Sequence, residues 1–257
     1  MARLSFRRSL AIARQDWRVL RRDPLPAAVL VVLPLVLIPF LKPAFHLALT
    51  LESGPADSGA GQAVPGMAIT FAFFLVGNAS NGFFREHAWR TWDRLRASAA
   101  TTPEIVLGKL AVPYLQALIQ FGLVFGAGAV LLGLHVYGSW VAMIGVGLAY
   151  SLFLVLLGVL VTAVCRTYIQ VYAVTYVGAL VFAGFAGALV PHALLPPWAQ
   201  ALAPLTPAYW AMDGYRAAIT GSDGSVIAIL VLLGFSVAVG AGGVLLLRAD
   251  ETKVAWV

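Results

Sequence analysis

Gly108-Lys109 is the one glycine–lysine step in this chain of 257 residues. In a phosphate-binding loop such a step needs a further upstream glycine and a following Ser or Thr. Here Leu110 follows and the upstream glycine is missing, so the chain does not hold a nucleoside triphosphate in that way. His46, His87, His135 and His192 fall in four separate loops, and no His/Cys/Asp/Glu cluster has metal-ligand spacing. No metal or cofactor of the chain's own is expected. The single Cys165 excludes an intrachain disulfide and reads as a small apolar residue at the end of a span. No acid or base lies deep in an apolar run. Burying one costs about 2.5–3.5 kcal/mol on insertion scales, so chains keep them mainly where ions or protons pass. Their absence speaks against an ion-coupled carrier and against acid–base catalysis inside the membrane. If the chain moves something actively, the energy comes from another polypeptide.

The charges that remain form two groups. Arg85 to Lys109 is a polar island, flanked by runs without Asp, Glu, Lys or Arg from Met67 to Phe84 and from Leu110 to Cys165. Within it, Thr101 and Glu104 have the spacing of a capping box, and Pro103 suits a first helical turn. Arg94, Leu95, Ser98, Thr101, Thr102, Pro103 and Glu104 lie in this island, where a partner could push. The plainer alternative is a solvated turn leading into a capped helix. The second group is Asp213 and Arg216, three apart and so able to pair on one helix face, as an outer latch or as local helix support. Asn78 and Asn81 with Phe71, Phe74 and Tyr176 suit a path for large amphipathic molecules; ordinary interhelix packing is the alternative. Gly122 and Gly126 have the spacing of close helix packing.

The elements that must position these groups are apolar helices. The chain is 61% hydrophobic and 11% charged, against roughly 25% charged in a soluble domain. An all-α membrane protein with six spans follows, with no separate soluble domain. Residues 1–24 carry seven arginines. Phe6, Leu10, Ala13, Trp17 and Leu20 recur on one face, which predicts an amphipathic helix lying in the headgroup layer. The membrane domain covers 25–248. Its first span runs over Leu25–Leu41, short or kinked at Pro26, Pro34 and Pro39, or extends to Leu51 with Lys42 snorkelling. The others are Val64–Phe84, a third running from the capped start to about Leu132, Trp140–Val164, Tyr168–Val190 and Ser225–Leu247. Residues 191–224 are rich in Pro, Trp and Tyr and predict two short helices dipping into the interface, Pro197–Leu202 and Pro207–Thr220. A tail, 249–257, closes the chain.

Lys and Arg sort these loops. Fifteen fall in the N-terminal segment, the 85–109 island, the 165–167 turn and residues 248–257, and only Lys42 and Arg216 fall on the other side. The positive-inside rule then places both termini and the island in the cytoplasm, with 191–224 outside. The basic balance is a topology signal, and no folded basic surface is left for nucleic acid.

The island resembles the signature of membrane subunits of type-2 ABC exporters: Glu86, Thr91, Trp92, Arg94-Leu95, Ser98 and Gly108-Lys109. Leu195-Pro196-Pro197-Trp198, Thr206-Pro207, Tyr209 and Asp213-Gly214-Tyr215-Arg216 resemble that family's second signature. Arg90, Ala99 and Thr206 depart from the family's usual Gly, Pro and Asn. The likeness extends over about residues 10–248, and among such exporters it is similar to small drug- and antibiotic-resistance permeases of the daunorubicin-exporter kind. The resemblance implies half of a transmembrane dimer, with an identical or related permease chain as the other half. It implies a separately encoded ATP-binding cassette subunit that carries ATP and Mg. The helix from about Ser98 would dock into that ATPase, braced by the N-terminal helix, in a bacterial inner (plasma) membrane. Pro197, Trp198, Pro207, Tyr209, Asp213 and Arg216 would belong to an outer lid. Lipid, polysaccharide or haem are alternative cargoes; an ion-coupled carrier and a membrane enzyme are the alternative classes.

Overall fold

The computed structural model describes residues 6–53, 59–88 and 101–249, and every regular element among them is helical. Six stretches are long and apolar enough to cross a membrane: Leu25–Thr50, Ala60–Gly82, Glu104–Leu131, Trp140–Val164, Tyr168–Phe185 and Gly224–Leu246. Arg94, Leu95 and Ser98 lie outside the described residues.

Helix α1 (Phe6–Arg22) stops before Asp23-Pro24, as a residue preceding proline is pushed out of the helical region. Helix α2 (Leu25–Ser53) continues through Pro34, Pro39 and Pro43, so the longer of the two readings of the first span holds. Its Lys42 donates from Nζ to the Leu132 carbonyl at 2.9 Å. A cation there meets the negative end of a helix dipole and satisfies a terminal carbonyl.

The second span is split. Helix α3 (Ala60–Ala72) and helix α4 (Leu75–Ala88) meet at Phe73–Phe74, where one run over Val64–Phe84 was expected. Neither proline nor glycine marks the break. Phe74 N–H donates to Phe71 O at 3.3 Å and Val76 N–H to Phe73 O at 3.0 Å, the tighter bonds of a 3-10 turn. The two rings at the break go to different neighbours. Phe73 stacks on Phe182 at 5.1 Å, and Phe74 tilts against Tyr176 at 5.3 Å.

Helix α5 (Thr102–Leu131) rises from the polar island without interruption. Helix α6 (Trp140–Val164) is capped by the Ser139 hydroxyl, which accepts from Ala142 N–H at 3.2 Å. Helix α7 (Tyr168–Phe185) ends five residues before the expected Val190. Gly187 takes φ 72° and Ala188 N–H reaches back to Ala183 O at 3.0 Å, the closing bond of a glycine-terminated helix. Two 3-10 turns, His192–Leu194 and Ala203–Leu205, flank helix α8 (Pro197–Leu202). Helix α9 (Pro207–Thr220) and helix α10 (Gly224–Ala249) complete the chain.

The split span is the centre of the bundle. It is almost wholly buried among α2, α5, α6 and α7, with Ile69 and Leu75 in a core shared with Ile38, Phe153, Leu154 and Leu232. Helices α2, α7 and α10 keep apolar faces outward, including Phe40, Leu180 and Val237. Water would not tolerate that much apolar surface, but lipid does. Gly122 and Gly126 meet no neighbour: a Cβ added at either would find nothing within 4 Å.

Candidate functional site

At the base of the bundle α1 lies against the first turns of α5. Glu104 is completely buried, and its Oε2 accepts from Thr101 N–H at 2.7 Å. The same oxygen is 3.6 Å from the Arg8 guanidinium. One turn further along, Lys109 Nζ donates to Asp16 Oδ1 at 3.1 Å, with both residues buried. Between these pairs the two helices nearly touch. A Cβ on Gly108 would sit 2.8 Å from both Ile12 Cβ and Ser9 O, so only glycine allows this approach. The apolar stripe of α1 points elsewhere. At about 100° per residue, Ser9, Ile12 and Asp16 lie roughly a quarter-turn or more from the Leu10–Trp17 line. Leu10 is exposed, Trp17 and Leu20 are half-buried, and Arg21 lies 5.3 Å over the Trp17 ring. Of Phe6, only its place in the helix is described. Helix α1 therefore has two working faces, one apolar and one locked to α5. Thr102 and Pro103 form the first turn of α5. Glu104, expected to serve a partner contact, is engaged by the helix start and by Arg8.

At the opposite end, α9 is not a shallow cap. It enters the bundle against α3, α6, α7 and α10. Pro207, Ala211, Met212 and Tyr215 are buried, and the Tyr215 ring lies 4.6 Å from Phe125 and 5.9 Å from Phe121. The Thr206 hydroxyl accepts from Tyr209 N–H at 3.4 Å and so caps α9. The expected Asp213–Arg216 ion pair is absent among the described residues. Arg216 instead donates from Nη2 (2.7 Å) and Nε (3.2 Å) to Gln62 Oε1. Gln62 in turn donates from Nε2 to Gly187 O. One buried amide thus ties α9 to the first turn of α3 and to the end of α7. The physical reason is valence: a carboxamide offers an acceptor to the guanidinium and a donor to the carbonyl, and a carboxylate offers only acceptors. Leu49, Gly59, Gln62, His192, Arg216 and Thr220 line a half-open cavity of about 240 Å³ here. The His192 ring lies 5.2 Å from Tyr209. Burial, then the Asp213 carboxylate, holds the Tyr209 hydroxyl above its ordinary range, with Arg216 pulling the other way. Pro197 opens α8, and Trp198 is exposed, its ring edge-on to Phe185 at 6.1 Å.

Replacing Arg216 with Gln is expected to destabilise this end by about 1.5–3 kcal/mol, the range for hydrogen bonds to a charged group. Asp213→Asn should cost well under that. Thermal midpoints of the two purified variants decide it, and equal losses would restore the Asp213–Arg216 latch.

Along the seam of α4 and α7 the remaining expected residues come together. Phe71 meets Phe74 edge-on at 5.7 Å, Phe74 meets Tyr176 at 5.3 Å, and Tyr176 stacks on Tyr172 at 6.0 Å. Asn81 donates from Nδ2 to the Tyr172 hydroxyl at 3.2 Å. Asn78 is half-buried on the same edge. Among the described residues no group of three or more His, Cys, Asp or Glu is placed to hold a metal. Burial pushes the Cys165 thiol up, which keeps it protonated and unreactive near neutral pH.

Among the described residues, the chain thus combines a polar base, the buried helix α9 and six helices long and apolar enough to cross a membrane. Compared with known families, residues 8–220 match the ABC-2 type transporter membrane domain. The chain belongs to that family. None of the curated proteins compared matches it. As an ABC-2 protein it is a transmembrane subunit of an ABC transporter, a multi-pass membrane protein whose family implies an ATP-binding partner. The site residues of this ABC-2 subunit that spacing did not reveal are Asp16, Arg8, Gln62 and His192. Asp16 carries the one available signal, a lone acid in an arginine-rich helix. Gln62 gives none, because one amide in a polar loop has no distinguishing pattern.

Proposed function

We propose that this subunit forms half of the translocation path of an ATP-driven exporter and that its base receives the push of a separately encoded ATP-binding subunit. The observation that carries the reading is the locked base. Asp16–Lys109 and Arg8–Glu104 join α1 to the start of α5, the longest helix among the described residues, which begins in the sequence island that resembles the family's coupling signature. A force applied there reaches the membrane without bending a loop. ATP and Mg belong to the partner subunit in this reading, and a second permease chain, identical or related, completes the path. The excess of Lys and Arg at this end supports a cytoplasmic base and cytoplasmic termini, and the family resemblance supports a bacterial inner membrane. The lid at the opposite end faces outward. The cargo is a hydrophobic drug or antibiotic.

The test is a tagged purification from membranes in mild detergent, with mass spectrometry of the associated chains and an ATPase assay on the eluate. A stoichiometric ATP-binding subunit with turnover is expected. A clean permease without one, expressed beside its genomic neighbours, would remove the coupling role from the base.

A further inference from the structure

We propose that the inner face of α9 rests on ordered water, held inside the bundle between Tyr215 of α9 and the Gly147, Tyr150 and Ser151 face of α6.

Three buried hydroxyls gather at this contact. Tyr150 is fully buried and Tyr215 is 1% exposed. Neither phenol has a hydrogen-bond partner among the described residues, and neither does Ser151 Oγ. Gly147, Tyr150 and Ser151 are spaced three and four residues on from the glycine, so they share one face of α6. The Tyr215 hydroxyl lies over that face, 3.1 Å from where a Cβ on Gly147 would stand. The two phenols are close enough to interact electrostatically.

Ser151 departs from the other buried hydroxyls of the spans. Thr70, Ser80 and Ser236 each donate to the carbonyl four residues back, at 2.7, 3.1 and 2.8 Å. The equivalent acceptor for Ser151 is the Gly147 carbonyl, and Ser151 makes no such bond. A buried hydroxyl that forgoes its local bond needs another partner, since leaving it unpaired forfeits its full solvation.

The chemistry of the site selects that partner. Rings close around it: Phe121 lies 6.3 Å from Tyr150 and 5.9 Å from Tyr215, Phe125 lies 4.6 Å from Tyr215, and Phe153 lies 6.1 Å from Tyr150. They shut out lipid, whose tails offer a hydroxyl nothing in any case. Trp140 to Val164 contains no Asp, Glu, Lys or Arg, so α6 offers an ion no counter-charge. Water is small, donates and accepts, and needs two to four polar partners. Each hydroxyl here can turn to do either.

The consequence is a lid helix with unequal fastenings. Its end is stitched to the α5–α6 turn by Tyr137, Gly138 and Ser139 N–H, which donate to the carbonyls of Ile219 and Ala218 at 2.9, 3.0 and 2.9 Å. One turn earlier, Tyr215 is held through water. A helix seated that way shifts by exchanging one water bond for another, while its end stays fixed as the pivot.

The experiment uses the full-length chain, purified with its associated subunits and reconstituted in nanodiscs. A short X-ray pulse turns bound water into hydroxyl radicals, which oxidise the side chains beside it, and mass spectrometry reads the positions. Tyr150 and Tyr215 should be oxidised several-fold faster than Phe73, which is also buried but stacks on Phe182. Thermal midpoints give a second readout. Tyr150→Phe and Tyr215→Phe should each lower the midpoint. The double variant should lose clearly less than the sum, because both hydroxyls serve the same water. A phenylalanine that raises the midpoint means a dry, unpaired hydroxyl and overturns the proposal. Additive losses overturn it too. Non-additive losses without oxidation mean that the tyrosines bond each other directly, and the water site falls.

Discussion

Asp16→Ala should loosen the base and destabilise the chain by about 1.5–3 kcal/mol, the range for a hydrogen bond between charged groups. Lys109 is 3% exposed and its Nζ sits 3.1 Å from the Asp16 carboxylate. Without that carboxylate the buried ammonium loses the 3.1 Å ion pair that ties it to α1. The thermal midpoint of the purified chain should fall, and cargo-stimulated ATP hydrolysis by the assembled complex should drop toward its basal level. Adding Lys109→Met separates the two effects. The buried ammonium is gone and methionine fills the same space, so most of the midpoint should return. The link between α1 and α5 is still missing, so stimulation should not return. A double variant that recovers both would make the pair a packing feature and move the coupling role off this contact. A single Asp16→Ala variant with a wild-type midpoint would remove the premise.

Gly59→Ala carries the second large effect. Gly59 has φ 77°, where an L side chain costs about 1–2 kcal/mol. Its added Cβ would lie 2.4 Å from the Lys42 carbonyl oxygen and 2.7 Å from the His46 amide nitrogen. Both are backbone atoms of α2 and cannot swing aside, so overpacking adds about 1–3 kcal/mol. The displaced segment is the start of α3, and Gln62 stands three residues on. The amide that joins Arg216 to Gly187 would shift with it. The expected result is a lower midpoint together with a looser lid. Labelling of an Ile219→Cys reporter, which is buried beside the cavity, by an impermeant maleimide in a Cys165→Ser background should rise several-fold. Gly122→Ala is the control, since nothing stands within 4 Å of its Cβ and alanine favours the helix. If Gly59→Ala labels like the control, the first turn of α3 does not hold the lid.

What the sequence revealed and what it hid divide along physical lines. Span number and the prolines that start α8 and α9 were legible because hydropathy and proline geometry are local. The continuity of α2 through three prolines was not, since it depends on α3 and α5 packing along it. The break at Phe73–Phe74 left no mark for the same reason: the two rings are drawn to different neighbours on α7, and spacing within one segment cannot show that. At the base, the Thr101–Glu104 spacing was visible, but Asp16 lies far from Lys109 in sequence and the two meet only after folding. At the lid, Asp213 and Arg216 looked paired because they are three apart. Gln62 wins the guanidinium through a bond that closes a long loop.

One feature of α5 reaches further than its ends. Its 30 residues run as one helix through Pro113, about 45 Å long, joined at the bottom to α1 and touching Lys42 of α2 at the top. A lever of that length converts angle into distance. Tilting it by about 5° moves the upper end by about 4 Å, more than the length of the bond that joins Lys42 to Leu132. The first span must then travel with α5 or give up that hydrogen bond, so the two helices cannot tilt independently while Lys42 holds Leu132.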